Sequence, residues 1–198
     1  MIVSIIGKGV AAMNVFEAIH NRRSVSIVRP DPVPQELIET ILFAGAQAPN
    51  HFRVRPWRFF VLTGAALERL GEVMAESLRR RDPECPESAL NKERSRPLRA
   101  PVVIAVAVDP PGIPKVIEVE NIGAAAAAVQ NMLLAAHALG LGAMWRTGPA
   151  AMNADVKAFF GLPPEQHLIG FIYIGYPGDM PEMPPRPGHE DRTVWMTE

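Results

Sequence analysis

Arg22, Arg23 and Ser24 stand in a row at the end of an apolar helical stretch, so two guanidinium forks and a hydroxyl are presented together. Such a trio can grip a phosphate, since charge-assisted hydrogen bonds contribute roughly 1.5–3 kcal/mol each. It can equally be a basic helix C-terminus that favours the helix dipole and needs no ligand. The loop APNHFRVRPWRFF sets Asn50, His51, Arg53 and Arg55 ahead of an aromatic strand, and polar groups on a loop held by a rigid strand commonly build binding sites. Arg55 and Arg58 also fit plain edge charges, and His51 a turn residue. In GLGAMWRTG a glycine-permissive turn leads to Trp145, Arg146 and Thr147, where backbone amides, a fork and a hydroxyl converge. Trp145 taken alone reads as a core aromatic.

Other chemistries find no residues. Ser-His-Asp order and a nucleophile elbow are absent, and Cys85, the only cysteine, lies in a proline-rich segment without a motif. That leaves no internal disulfide and no cysteine cluster for a metal, and points to the cytoplasm. The five histidines are scattered without ligand spacing, so no metal site is expected. At the start, IVSIIGKGVAAM reads as a strand entering a GxGxxA turn, with Arg29 placed as a 2′-phosphate reader. This is the order of a dinucleotide fingerprint and gives an alternative reading, an NADP-binding Rossmann-type domain. A further alternative is a non-enzymatic Arg-rich binding module.

The elements that must position these residues belong to one domain of 198 residues, 48% hydrophobic and 21% charged. Twenty basic and 21 acidic residues leave a net charge of -1, so no global field draws the chain to nucleic acid or an anionic membrane. Any anion site must be local, and sixteen arginines against four lysines invite one built from arginine. The pattern predicts helices over Val15 to Asn21, Gln35 to Gln47, Ala65 to Arg81, Glu118 to Leu139 and Asn153 to Phe160. Strands are expected at WRFFVLT, PVVIAVAVD and HLIGFIYIG, with GAMWRTG a short strand or turn. PVVIAVAVD, continuously apolar, should be central. The charged segment RDPECPESALNKERSRPLR, Arg81 to Arg99, with its three prolines, reads as a mobile loop or a short irregular helix that could serve as a lid. The helix from Glu118 is apolar on nearly every face; its alanines, glycines, Gln130, Asn131 and His137 make it a poor membrane span and a good buried helix of a domain or dimer. Helices and strands do not alternate strictly, so the fold class is α+β.

Together FEAIHNRRSV, APNHFRVRPWRFFVL, RAPVVIAVAV, NMLLAAHALGLGAMWRTG and LIGFIYIGYP, in that order, resemble the FMN-dependent nitroreductase family and its compact bacterial NAD(P)H nitroreductase branch. The resemblance covers about Met13 to Pro177. It implies an α+β sandwich with a central, mostly antiparallel sheet flanked by helices, assembled as an intertwined homodimer with FMN at the interface. Residues 1–12 would then be a dispensable extension, 13–177 the FMN-binding domain, and 178–198 a proline-rich tail packing on the domain or on the partner subunit. Arg22, Arg23 and Ser24 match the stretch that holds the FMN phosphate and ribityl chain. Gln47 and His51 match the loop that reaches the flavin across the dimer, and Trp145, Arg146 and Thr147 a second cofactor-holding segment. Two departures stand out: Arg55 replaces the glutamine that many relatives carry before the Pro-Trp pair, and Ser26 replaces a basic residue. Positive charge near reduced flavin would then come from Arg53 or Arg55. The implied activity is reduction of a small acceptor, such as a nitroaromatic or quinone, by NAD(P)H in ping-pong fashion, with the chemistry carried by the flavin and no catalytic side chain assigned.

Overall fold

The computed structural model describes residues 13–178, 182 and 185–197. Strands Trp57–Thr63 (β1), Val102–Val108 (β2), Gly142–Arg146 (β3) and His167–Gly175 (β4) form one sheet in the order β1-β2-β4-β3. Every neighbouring pair is antiparallel. All seven residues of β2 are buried, as a strand with both faces covered requires. The GxGxxA turn lies outside the described residues. SVSIV, where a dinucleotide fingerprint would need its second strand, makes isolated bridges, Ser24 to Ala143 and Val28 to Pro177.

Alternation along β2 and β4 divides the core. Val102, Ile104, Val106, Ile172 and Ile174 face helices Gln35–Ala46 (α2) and Glu118–Ala138 (α5). Val103, Ala105, Ala107, Phe171 and Tyr173 face helix Ala65–Arg81 (α3) and the short helices Pro149–Met152 (α6) and Ala154–Phe159 (α7). The result is helices on both faces of an antiparallel sheet, the expected α+β sandwich. Helix Val15–Asn21 (α1) opens with reciprocal capping between Asn14 and Glu17, each side chain accepting the other's backbone N–H at 3.0 Å. The sequence boundaries hold to a residue or two: Gln47 is the C-cap of α2, and Asn153 caps α7 by accepting from the N–H groups of Asp155 and Val156.

The segment expected as a mobile loop or a short irregular helix contains a regular helix, Glu87–Ser95 (α4), packed on α3. Its prolines do not interrupt it, because Pro86 precedes the helix and Pro97 begins the short turn after it. Leu90 is buried, and Arg94 binds Glu72 at 3.0 Å and Glu87 at 2.6 Å. Gly71 of α3 lies directly under the Arg94 backbone, where a Cβ would collide. This close approach ties α4 to α3.

Helix α5 is covered on one side only. Asn121, Ala125, Ala128, Met132 and Ala136 are buried, whereas Val119, Gly123 and Gln130 are exposed along a stripe of helical spacing that continues through half-buried Leu134 and His137. In the tail, Arg186 donates to the carbonyls of Ile19 and Arg22 at the end of α1, and Trp195 is 82% exposed.

Candidate functional site

Arg22 is the C-cap of α1, and from it the chain runs along the open edge of β3. The Val25 N–H donates to the Ala143 carbonyl at 3.0 Å. Gly142 allows this approach, since a Cβ there would lie 2.8 Å from Val25 Cγ1. The side chains of Arg22 and Arg23 consequently meet His137, in the last turn of α5, around a cavity of about 280 Å³ closed by Gly140 to Ala143. Arg22 Nε and His137 Nε2 are buried there without a hydrogen-bond partner. Burial, and then the charges of Arg22 and Arg23, hold His137 below its ordinary pKa; burial, and then Arg186, do the same to Arg22. Among the described residues the wall carries two guanidinium groups and no carboxylate, a charge balance suited to an anion, because buried polar groups otherwise pay their desolvation without return.

Farther along β3 the sequence-predicted trio divides between the two faces of the sheet. Trp145 packs on the α5 side, and its Nε1–H donates to the Ile169 carbonyl at 3.1 Å. That carbonyl is set by a bulge in β4, where Val106 pairs with Gly170 and Ala107 with Leu168, so that Ile169 is the extra residue. Gly170 has φ +138°, and a Cβ on it would stand 2.6 Å from Trp145 Nε1. Arg146 points to the opposite face, its guanidinium 5.4 Å from the centroid of the Tyr173 ring. Thr147 is exposed. Because the Ala143 carbonyl faces the outer edge of β3, the period of two turns the backbone groups of Trp145 and the N–H of Thr147 the same way.

Gln47, His51, Arg53 and Arg55 lie elsewhere. Gln47 Nε2 donates to the Phe43 carbonyl at 3.3 Å, and His51 Nδ1 is 2.9 Å from Glu120 Oε1 in the first turn of α5. Phe52, Arg53 and Arg55 have φ of 49°, 56° and 49°, a left-handed geometry that costs of order 1–3 kcal/mol per non-glycine residue and gathers at functional loops. Asn50 pins the loop by accepting the Arg55 N–H at 2.8 Å and donating to the Ala48 carbonyl at 3.2 Å. Arg53 and Arg55 are exposed, and Phe52 is 60% exposed. Arg58 is the edge charge expected of it, paired with Asp109 at 2.8 Å. From Glu120 to His137 the helix rises about 25 Å, so within one chain this loop is far from the Arg22 cavity.

His137, Arg186, Glu120 and Gly170 were not singled out from the sequence as site residues. A glycine inside a strand is a signal for a bulge and could have found Gly170. Nothing local marks the other three, whose roles arise from packing between distant segments. Among the described residues, no His, Cys, Asp and Glu cluster could hold a metal, and no helix is long and apolar enough to cross a membrane.

The sequence profile described as "Nitroreductase family" matches residues 19–176, a span that includes Arg22, Arg23, His137 and the strained loop. The chain belongs to the nitroreductase family. It is 35% identical over 166 residues to the Escherichia coli K12 protein named "Putative NAD(P)H nitroreductase YdjA", covering 83% of this chain and 89% of that one. Among solved structures, a nitroreductase-like family protein from Bacillus cereus superposes with a TM-score of 0.80 at 24% identity, covering 95% of this chain and 98% of the other. A Desulfovibrio desulfuricans protein solved in complex with FMN gives a TM-score of 0.71 at 29% identity, covering 95% and 100%. The nitroreductase fold therefore extends over nearly the whole of this family member.

Proposed function

We propose that this nitroreductase family member is an FMN-dependent oxidoreductase that draws on NADH or NADPH to reduce a small acceptor such as a nitroaromatic or a quinone. The observation that carries this reading is the buried cationic cavity at Arg22, Arg23 and His137. Its unpartnered Arg22 Nε and His137 Nε2 fit a dianionic phosphate, and it lies beside a strand edge with outward-facing backbone groups. Arg22, Arg23 and Ser24 would hold the FMN phosphate and ribityl chain, and Trp145 to Thr147 the ring side. The names of the E. coli and D. desulfuricans proteins support the donor and the cofactor.

The second half of the site comes from a partner subunit. Gln47, His51, Arg53 and Arg55 stand at the N-terminal end of α5 and the phosphate cavity at its C-terminal end, too far apart to share one flavin within a chain. A two-fold dimer that sets the two α5 helices antiparallel brings each loop to the other chain's cavity. Exposed Phe16, Ile19, Phe43, Phe52 and Val119 support this, since they sit on α5 or on elements packed against it. Burying them together would remove an apolar surface that a soluble monomer poorly tolerates.

FMN, when bound, supplies the redox chemistry, passing reducing equivalents from the nicotinamide to the acceptor. The chain orients it, sets positive charge at its phosphate end and, through the partner's Arg53 or Arg55, near the ring. Donor and acceptor use one open face in turn, which gives ping-pong kinetics. The lone cysteine fits a reducing, cytoplasmic setting. Anaerobic addition of NADH or NADPH should bleach the yellow protein and a nitroaromatic or quinone should restore the colour, with parallel double-reciprocal plots; a protein whose colour neither nucleotide changes overturns the reading.

A further inference from the structure

On the sheet face away from His137, a second cavity of about 300 Å³ is bounded by Arg96, Arg99 and Arg146 around Tyr173. Arg96 Nε and Arg146 Nε are buried without a hydrogen-bond partner. Arg96 Nη2 meets Glu93 at 2.7 Å, while Arg99 and Arg146 make no ion pair among the described residues. One carboxylate thus answers three guanidinium groups. All three act on the buried Tyr173 phenol, opposing the upward push that burial gives its pKa. Like charges gathered at a partly dry wall repel one another, and a bound anion relieves both the repulsion and the unmet donors.

The walls narrow the class of anion. Buried Phe171 and Tyr173 line the wall, Arg146 lies over the Tyr173 ring, and Trp145, Met74 and Met144 complete an aromatic and apolar lining. An inorganic anion would leave those rings unused. A planar acid uses both features, with its ring against the aromatic wall and its carboxylate in the guanidinium forks. Thr147, on the strand edge assigned above to the ring side of FMN, also lines the cavity.

We propose that the Arg96, Arg99 and Arg146 cavity binds the carboxylate of a small aromatic acid. That this acid is the electron acceptor rests on the flavoprotein reading; that it binds does not.

The test is calorimetric titration of benzoate into the purified holoprotein and into Arg99→Ala and Arg96→Ala, with the FMN content of each measured in parallel. The expected result is saturable binding to the parent, weakened about tenfold or more in each variant, with FMN content unchanged. The KM for 4-nitrobenzoate should rise in step while that for neutral 4-nitrobenzamide stays constant. Arg99 is exposed and unpaired, so its variant keeps the test sound if Arg96→Ala disturbs folding through Glu93. Absence of saturable benzoate binding, or equal isotherms in parent and variants, overturns the proposal. Loss of FMN from Arg99→Ala also overturns it, by giving the cavity to the cofactor phosphate, and so does displacement of benzoate by lower concentrations of 2′-AMP or inorganic phosphate. A parent protein that holds no FMN would sink the flavoprotein reading, and the benzoate isotherm would still decide the cavity.

Discussion

Glu120 holds His51 at the first turn of α5, with Oε1 2.9 Å from His51 Nδ1, while its other oxygen accepts the Ile117 N–H at 3.1 Å. One carboxylate thus caps the helix and moors the strained loop to it. The loop's position relative to the Arg22 cavity is thereby set by the length of α5.

Complementation between chains follows from that separation. Arg22→Ala and His51→Ala should each weaken FMN binding at both sites of a homodimer. A mixed dimer of the two should regain one full-affinity site, built from the intact Arg22 of one chain and the intact His51 of the other. Affinity purification of differently tagged chains and flavin counting per dimer would show it; mixed dimers with no recovered site contradict the shared-site arrangement.

Arg22 acts on the phosphate, remote from the reacting ring. Arg22→Ala should weaken FMN binding roughly 10- to 150-fold, the equivalent of one charge-assisted contact of about 1.5–3 kcal/mol. Turnover at saturating FMN should hardly change. Fluorescence titration of the apoprotein and steady-state rates separate the two effects, and a large fall in kcat would place Arg22 at the ring instead.

His137 gives the fold a pH dependence of defined sign. Its pKa is lowered from 6.5 by burial and then by Arg22 and Arg23, so just below that value the unfolded chain binds more protons than the native one. Its contribution is complete above pH 6.5 and is lost as the pH falls through the folded-state value. Melting temperatures measured across this range should show an acid-side decline that His137→Asn reduces. Added FMN should also reduce it, because the phosphate offsets the local positive charge. A decline identical in parent and variant would place the titrating group elsewhere.

Gly170→Ala should displace Trp145. Its φ of +138° disfavours a side chain, and the added Cβ would press on the indole nitrogen. A stability loss of about 1–3 kcal/mol is expected, with weakened FMN binding as the β3 edge shifts. Denaturant unfolding and the fluorescence spectra of the native proteins read both effects; a variant as stable as the parent would show that the bulge accommodates the methyl group.

Most of the element order was legible because it rests on local pattern. The valine run of β2 allowed only a buried strand, and the apolar spacing of α3 allowed only a helix ending near Arg81. Arg22, Arg23 and Ser24 were legible for the same reason, as adjacent residues of matching chemistry. His137 was not, since it meets Arg22 through the packing of α1 on α5, more than a hundred residues apart. The tail's Arg186 reaches the end of α1 with no signal in its proline-rich neighbourhood. The regularity of helix α4 was not legible in a charged segment with three prolines, which suggests a loop or an irregular helix, yet Pro86 precedes the helix and Pro97 opens the turn after it, so neither interrupts it. The division of Trp145 and Arg146 between opposite faces follows from strand alternation, once GAMWRTG is known to be a strand and not a turn.

The central claim is that this nitroreductase family member binds FMN at a site built around Arg22, Arg23 and Ser24. The most direct measurement is the flavin released on heating the purified protein, identified by chromatography and counted per chain. The account predicts FMN approaching one molecule per chain in the protein reconstituted with excess FMN, and far less in Arg22→Ala treated identically at limiting FMN. A colourless protein that takes up no FMN on titration would contradict it.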